Sequence, residues 1–164
     1  MVIKRLSMKS NEEVLELLTM QLASYQVEAD LIGFDGIPPL KDGIQSLKEA
    51  KETFIGCYME AEGKEELTGA ISFTRNGSVV EICRMIVDPK HFRKGIASSL
   101  LRHLMAEQRR KGVSRFIVST GTANFPAVSL YKSFGFHERR VITIAPNITL
   151  TTFECSEENY NPEP

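Results

Sequence analysis

The sequence lacks the apolar segments that direct a chain into a membrane or a secretory pathway. No apolar run approaches the roughly 20 residues that a membrane-spanning helix requires. The N-terminal residues, MVIKR, do not begin the apolar core of a signal peptide. We therefore expect a soluble protein of the cytoplasm that has no membrane partner.

The sequence also has no surplus of either charge. Its 20 lysines and arginines face 21 aspartates and glutamates, which leaves a formal net charge of −1. General nucleic-acid binders carry a basic excess, so we expect no nucleic-acid partner. With 42% hydrophobic and 25% charged residues, the 164-residue chain has the composition of one globular domain. We assign residues 1–156 to this domain and predict that the acidic tail, residues 157–164, is frayed.

Cysteine is scarce and unclustered. Cys57, Cys83 and Cys155 lie far apart and form no C-x-x-C pair, and the three histidines are equally scattered. An odd number of dispersed thiols argues against a disulfide framework and against a structural zinc site. We therefore expect no metal.

The hydrophobic pattern that is present predicts alternating strands and helices. Strand-like runs cover residues 2–6, 53–61, 67–75, 78–87, 116–118, 139–145 and 149–155, and helical spacing begins near residues 11, 42, 96 and 126. Asn76 and Gly77 stand between two strand-like runs and predict a hairpin with both residues in a type I′ turn. From Asp88 onward, a strand, a long helix and a second strand predict a parallel βαβ unit.

The turn that enters the long helix has the composition of an anion-binding site. It reads RKGIAS, and a helix start offers free backbone N–H groups at the positive end of the helix dipole. Gly95 and the small Ala97 permit a close approach to the main chain. The spacing matches neither a Walker A loop nor the dinucleotide fingerprint, and taken alone it is equally typical of an ordinary helix start with solvated basic residues.

A second motif follows the next strand. It reads NFPAVSLYKSFGF, from Asn124 to Phe136. Together with Val87-Asp88-Pro89 and the RKGIA turn, in this order, it resembles the Gcn5-related N-acetyltransferase (GNAT) superfamily over residues 78–136. One departure is Phe92, which stands where the family usually has Gln or Arg.

The resemblance implies an α/β (α+β) fold with a mixed, mostly antiparallel central sheet and helices on both faces. The two central parallel strands would splay apart, and the pantetheine arm of the co-substrate acetyl-CoA would insert between them. The residues that the resemblance implies as its contacts are Met85, Ile86 and Val87 through their backbones, Arg93, Lys94, Gly95, Ile96, Ala97 and Ser98 around the pyrophosphate, and Asn124.

Acetyl transfer to an amine requires a proton acceptor for the amine and a proton donor for the departing thiolate. The resemblance implies Tyr131 as the donor, beside the thioester sulfur. The alternative for Tyr131 is a core aromatic that packs the short helix on the sheet.

Strand alternation suggests a base. Glu81 is expected to share one face of its strand with Val79, Cys83, Met85 and Val87, where apolar neighbours would raise its pKa toward that of a useful general base. It also lies at the offset of the catalytic Glu in histone-acetylating relatives. The alternatives are a carboxylate at the open end of the sheet, or one paired with Arg84.

The acceptor is the least determined part of the prediction. Acidic residues of the first helix and of the loop after it suit a cationic amine, although a solvated acidic face is the simpler interpretation; they are Glu28, Asp30, Asp35 and Asp42. The leading hypothesis is therefore an acetyl-CoA-dependent N-acetyltransferase acting directly on a small-molecule or peptide amine. The second is a non-catalytic acyl-CoA-binding module on the same fold. The exposed final hairpin offers an edge for a homodimer, and the oligomeric state stays open.

Overall fold

The computed structural model describes residues 1–164 and contains one seven-stranded sheet and four α-helices. The strands are β1 (Val2–Arg5), β2 (Thr53–Ala61), β3 (Lys64–Asn76), β4 (Val79–Val87), β5 (Arg115–Gly121), β6 (His137–Ala145) and β7 (Ile148–Ser156). The helices are α1 (Asn11–Ile32), α2 (Ile44–Glu49), α3 (Ile96–Arg110) and α4 (Phe125–Ser133). The predicted elements are all found, with ends that differ by a few residues.

The sheet is mixed and mostly antiparallel, as predicted. Its strand order is β1-β2-β3-β4-β5-β7-β6, and only β4 and β5 run parallel. These two strands pair over Val79–Ile82 and Arg115–Val118 and then separate. Beyond this point β4 pairs only with β3, and β5 pairs only with β7. The predicted splay between the central parallel strands is therefore confirmed.

Helices cover both faces of the sheet and divide the core in two. On one face, α3 buries Leu100, Leu101 and Leu104 completely, because these residues recur at helical spacing. Full burial of such a side chain contributes about 1.5–3 kcal/mol. On the other face, α1 and α2 bury a smaller cluster that includes Leu17 and Leu47. None of the four helices is both long and apolar enough to cross a bilayer.

A β-bulge in β4 corrects the predicted alternation of side chains. Phe73 of β3 pairs with Ile82 and Ser72 pairs with Arg84, so Cys83 has no partner across this pair of strands. The extra residue reverses the two faces at this point. Ile82 joins the core on the α3 face, whereas Ile86 joins the core on the α1 face. The prediction that positions 79 to 87 alternate without interruption is therefore wrong.

The hairpin between β3 and β4 is present, but its turn differs from the predicted one. Asn76 pairs with Val79, so Gly77 and Ser78 form the two-residue loop. Only Gly77 has a positive φ, of 64°, and Asn76 is the last residue of the strand. Register between the strands thus places the loop one residue later than the Asn-Gly signal predicts.

The C-terminal tail, expected to fray, contacts the body of the protein. The N–H of Asn161 donates to the carbonyl of Phe134 at 3.0 Å, and Arg102 donates to the carbonyl of Pro162 at 3.0 Å. The tail passes so close to Gly135 that a Cβ there would lie 1.6 Å from the carbonyl oxygen of Asn159. Gly135, whose φ is 96°, is therefore required both by its backbone conformation and by this contact.

Candidate functional site

A cleft of about 640 Å³ opens where β4 and β5 separate. Residues 82–85 of β4 and 118–120 of β5 line it from the sheet. Tyr25, Glu28 and Ile32 line it from α1, and Asn124 and Tyr131 line it from the α4 segment. Tyr131 and Asn124, predicted from one motif, therefore meet the splayed strands in one cavity.

The turn before α3 presents a row of backbone donors. Arg93 and Gly95 both have a left-handed backbone, with φ of 65° and 76°. The first helical bond runs from the N–H of Ser99 to the carbonyl of Gly95 at 3.0 Å, and the N–H groups of residues 93–98 donate to no backbone carbonyl. Free N–H groups at the start of a 15-residue helix, next to two exposed cationic side chains, fit a pyrophosphate.

The open edge of β4 is partly covered by α1. The N–H of Val87 donates to the hydroxyl of Ser24 at 3.2 Å. Burial, and secondly Glu28, raise the pKa of the neighbouring Tyr25, and a hydrogen bond with the backbone of Met85 opposes this rise. Of the three residues predicted to pair with pantetheine, Met85 lines the cleft and Ile86 is fully buried. The hydroxyl of Ser24 thus accepts the N–H that Val87 was predicted to offer to pantetheine.

Tyr131 is packed among aromatic rings at the cleft. Its ring packs against Phe136 and Phe153, with centroids 5.5 and 6.4 Å away, and only 3% of the residue is exposed. Burial, and secondly the charge of Glu28, raise the pKa of Tyr131 well above its ordinary value. The phenol therefore keeps its proton at neutral pH and can donate a hydrogen bond into the cleft.

Glu28 is a carboxylate that the sequence did not distinguish from its acidic neighbours. Its Oε1 accepts from the hydroxyl of Thr120 at 3.2 Å and from the N–H of Gly121 at 3.4 Å. No lysine, arginine or histidine pairs with it, and its charge raises the pKa of both Tyr25 and Tyr131. The signal for it was present, because Gln21, Tyr25 and Glu28 follow one another at helical spacing on one face of α1.

A polar network anchors the other wall of the cleft to β4. Arg84 donates to both oxygens of Glu52, at 3.0 and 3.1 Å, to Asp42, and to Gln21 at 2.9 Å. Burial opposes ionisation of both groups, but hydrogen bonds from Ser46, Gln21 and Arg84 leave the pKa of Asp42 lowered. In the same way, Glu52 and Asp42 leave the pKa of Arg84 raised against the effect of burial. The network ties α1, the segment before α2 and the residue that precedes β2 to the bulged part of β4.

Glu81 does not reach this cleft. Its side chain is exposed, and it is absent from the residues that line the cavity. Glu81 pairs with Ile117 where β4 and β5 still run together, so it precedes the splay. The bulge at Cys83 also separates its face from that of Met85. The apolar environment expected for Glu81 is not found, and neither is the alternative pair with Arg84, which binds Asp42 and Glu52.

Asn124 has a local structural role as well as a place in the cleft. Its side-chain oxygen accepts from the N–H of Ala127 at 3.3 Å and caps α4, and its amide donates to Thr120 at 3.3 Å. An N-cap of this kind stabilises a helix by about 1 kcal/mol. The amide is thereby positioned at the cleft, where the resemblance implies a cofactor contact.

One group of side chains outside the cleft has donor atoms close enough for a metal ion. Glu66, Asp88 and His91 are half-buried, with ligand atoms within 4.8 Å of one another. The Lys94 ammonium lies 3.2 Å from Nδ1 of His91 and adds positive charge beside them. Nε2 of His91 also lies 3.9 Å from Oε1 of Glu66, so these two side chains contact each other directly.

Cys83, at the bulge, provides a probe of the cleft. Partial burial, and secondly Glu52, raise the pKa of its thiol to about 11. We expect iodoacetamide to modify Cys83 alone in the folded protein, because Cys57 and Cys155 are 0% and 1% exposed. The rate should rise about tenfold per pH unit up to about pH 11, as the thiolate fraction grows. Mass spectrometry of the alkylated peptides measures this, and saturating coenzyme A should slow it; equal labelling of all three thiols would contradict the assignment.

Comparison with known proteins agrees with this architecture. The sequence pattern described as the acetyltransferase (GNAT) family matches residues 17–136. The chain is 36% identical to the UPF0157 protein YqkA of Bacillus subtilis (strain 168) over 138 residues, and this match covers 84% of the chain. The match spans only 38% of the length of YqkA.

Solved structures share the whole fold at low sequence identity. The ribosomal-protein-S18-alanine N-acetyltransferase of Escherichia coli has a TM-score of 0.72 and 15% identity, over 94% of this chain and 92% of that one. The PaiA N-acetyltransferase of Thermoplasma acidophilum, solved in complex with coenzyme A, has a TM-score of 0.68 and 18% identity, over 95% and 99%. The splayed sheet, the motifs around the cleft and the match over residues 17–136 together show that this chain belongs to the GNAT acetyltransferase family.

Proposed function

We propose that the protein transfers the acetyl group of acetyl-CoA to a primary amine, in a small molecule or a peptide, by direct attack in a ternary complex. The observation that carries the proposal is the pairing of two groups in one cleft. Glu28 is a carboxylate without a counter-charge, and Tyr131 is a phenol that burial keeps protonated. A base and an acid are what amine acetylation requires.

The co-substrate would be held by the turn before α3 and by the splay between β4 and β5. The free N–H groups of residues 93–98, with Arg93 and Lys94, would bind the pyrophosphate. Met85 and Asn124 would contact the pantetheine arm in the splay. The PaiA N-acetyltransferase of Thermoplasma acidophilum, which has the same fold, supports this assignment because it is solved in complex with coenzyme A.

Acetyl-CoA supplies its acetyl group as a thioester, so the amine nitrogen bonds to the carbonyl carbon and the carbon–sulfur bond breaks. A lysine-like ammonium, with a pKa near 10, must first lose a proton, and Glu28 accepts it through its free oxygen, directly or through water. Tyr131 donates its hydroxyl proton toward the departing sulfur. The second proton of the amine nitrogen then restores the phenol.

The experiment is an assay of thiol release from acetyl-CoA with a panel of primary amines. The panel should include alkylamines, arylalkylamines, amino acids, polyamines and a peptide with a free N-terminal alanine, since the Escherichia coli relative is named for alanine acetylation. We expect thiol release that depends on the amine. Calorimetric binding of acetyl-CoA without turnover on any amine would instead favour the non-catalytic acyl-CoA-binding module.

A further inference from the structure

We propose that the acceptor amine carries no anionic group and has an apolar body next to its amino group. This inference rests on the proposed function and specifies its substrate class. It excludes free amino acids as preferred acceptors. The argument depends on which charged groups of the cleft are already paired.

The only cation that lines the cleft is Arg84, and it is not available to a ligand. Two of its nitrogens hold both oxygens of Glu52, and the third binds Asp42 and Gln21. A substrate carboxylate would have to displace two carboxylates from a guanidinium whose side chain is only 12% exposed. Breaking such a partly buried network leaves uncompensated charges and is strongly unfavourable.

The cleft as a whole is negative. Three carboxylates line it, Glu28, Asp42 and Glu52, and one guanidinium, Arg84, so the local charge is −2. Glu28 is the member of this set without a cation, so it is the place where an ammonium gains most. A carboxylate on the same small acceptor would meet this negative charge without a compensating partner.

The remaining wall of the cleft is apolar. Phe34 and Ile37 extend from the segment after α1, and Ile144 and Leu150 face the cavity from β6 and β7. Phe34, Ile37 and Leu150 are half-buried, and Ile144 is 41% exposed, so an apolar substituent would cover them. Each buried methylene of the acceptor should improve kcat/KM by about fourfold, the factor that corresponds to transfer of one methylene from water.

The first test compares isosteric acceptors that differ in charge. We expect phenylalaninamide to exceed phenylalanine in kcat/KM by about 100-fold. Only phenylalanine brings a carboxylate into the cleft, where no free cation can pair with it. 2-Phenylethylamine should resemble the amide. Phenylalanine turned over as well as the amide would overturn the proposal.

The second test concerns the apolar wall. Ethylamine, butylamine and hexylamine should rise in kcat/KM along the series, and Ile144→Ser should flatten the rise. Ile142→Ser is the matched control, since Ile142 is equally exposed at 41%, lies on the same strand and does not line the cleft. An unchanged series in Ile144→Ser, or a flat series in the wild type, would overturn the apolar part of the proposal.

Failure of the proposed function can be distinguished from failure of this substrate class. If no amine releases thiol, calorimetry with the coenzyme A-saturated protein still compares phenylalaninamide with phenylalanine. Tighter binding of the amide would support the substrate class without turnover. Equal binding, or no binding of either compound, would overturn it.

Discussion

Replacement of Glu28 by glutamine should lower kcat/KM for the amine by about 100-fold or more, the usual contribution of a general base. The amide keeps the shape of the side chain and can still accept from Thr120 and Gly121, but it cannot take up a proton. Binding of acetyl-CoA should stay within about twofold of the wild type, because the change concerns proton transfer. Steady-state thiol release and calorimetry measure the two quantities.

Glu81→Gln is the matched control for this substitution. Glu81 lies on β4 but is exposed and outside the cleft, so its replacement should leave the kinetics unchanged. The pH profile adds a second criterion, since in Glu28→Gln the acid limb of kcat/KM should reflect only the ionisation of the amine. The assignment of the base would move to Glu81 if the two variants gave the reverse result.

Replacement of Tyr131 by phenylalanine should lower kcat by about 100-fold, within the usual range for general acid catalysis, with little change in acetyl-CoA affinity. The ring contacts with Phe136 and Phe153 survive, so only the proton donor is lost. Because the pKa of Tyr131 is raised, the wild-type phenol is protonated across the neutral range and its activity should not depend on its ionisation there. Initial rates at saturating co-substrate, together with the melting temperature, check both points.

Tyr58→Phe serves as the control for loss of a phenol. Burial, and then Glu16, raise the pKa of Tyr58 to about 12, but it lies on β2 and does not line the cleft. Its kcat should equal that of the wild type. A Tyr131→Phe enzyme that kept full kcat would show that the residue is a core aromatic, the alternative that the sequence left open.

The βαβ unit and its turn could be predicted from the sequence because they depend on residues that are close together in the chain. Gly95 and the spacing of leucines in α3 specify where a helix starts and which face it buries. Tyr131 lies on α4, seven positions after Asn124, the N-cap of that helix, so their spacing brings both side chains to the same cleft. Short-range geometry leaves little freedom in such segments.

The base could not be assigned in this way. Alternation along a strand predicted the face of Glu81, but a single unpaired residue, Cys83, reversed the faces within β4. A bulge of this kind is decided by register with the neighbouring strand, which no pattern within β4 encodes. Glu28 illustrates the same limit, since its partners Thr120 and Gly121 lie more than 90 positions away.

The sequence by itself therefore determined the order of the elements, the splayed sheet implied by its motifs, the turn before α3, and the placement of Asn124 and Tyr131 at the cleft. Tertiary structure alone decided which charges of the cleft are free. The near balance of 20 basic and 21 acidic residues conceals this difference, because Arg84 neutralises part of Asp42 and Glu52 whereas Glu28 stays unpaired. Pairing of charges depends on side chains that meet only after the strands and helices have packed, and the chemistry of the site follows from that pairing.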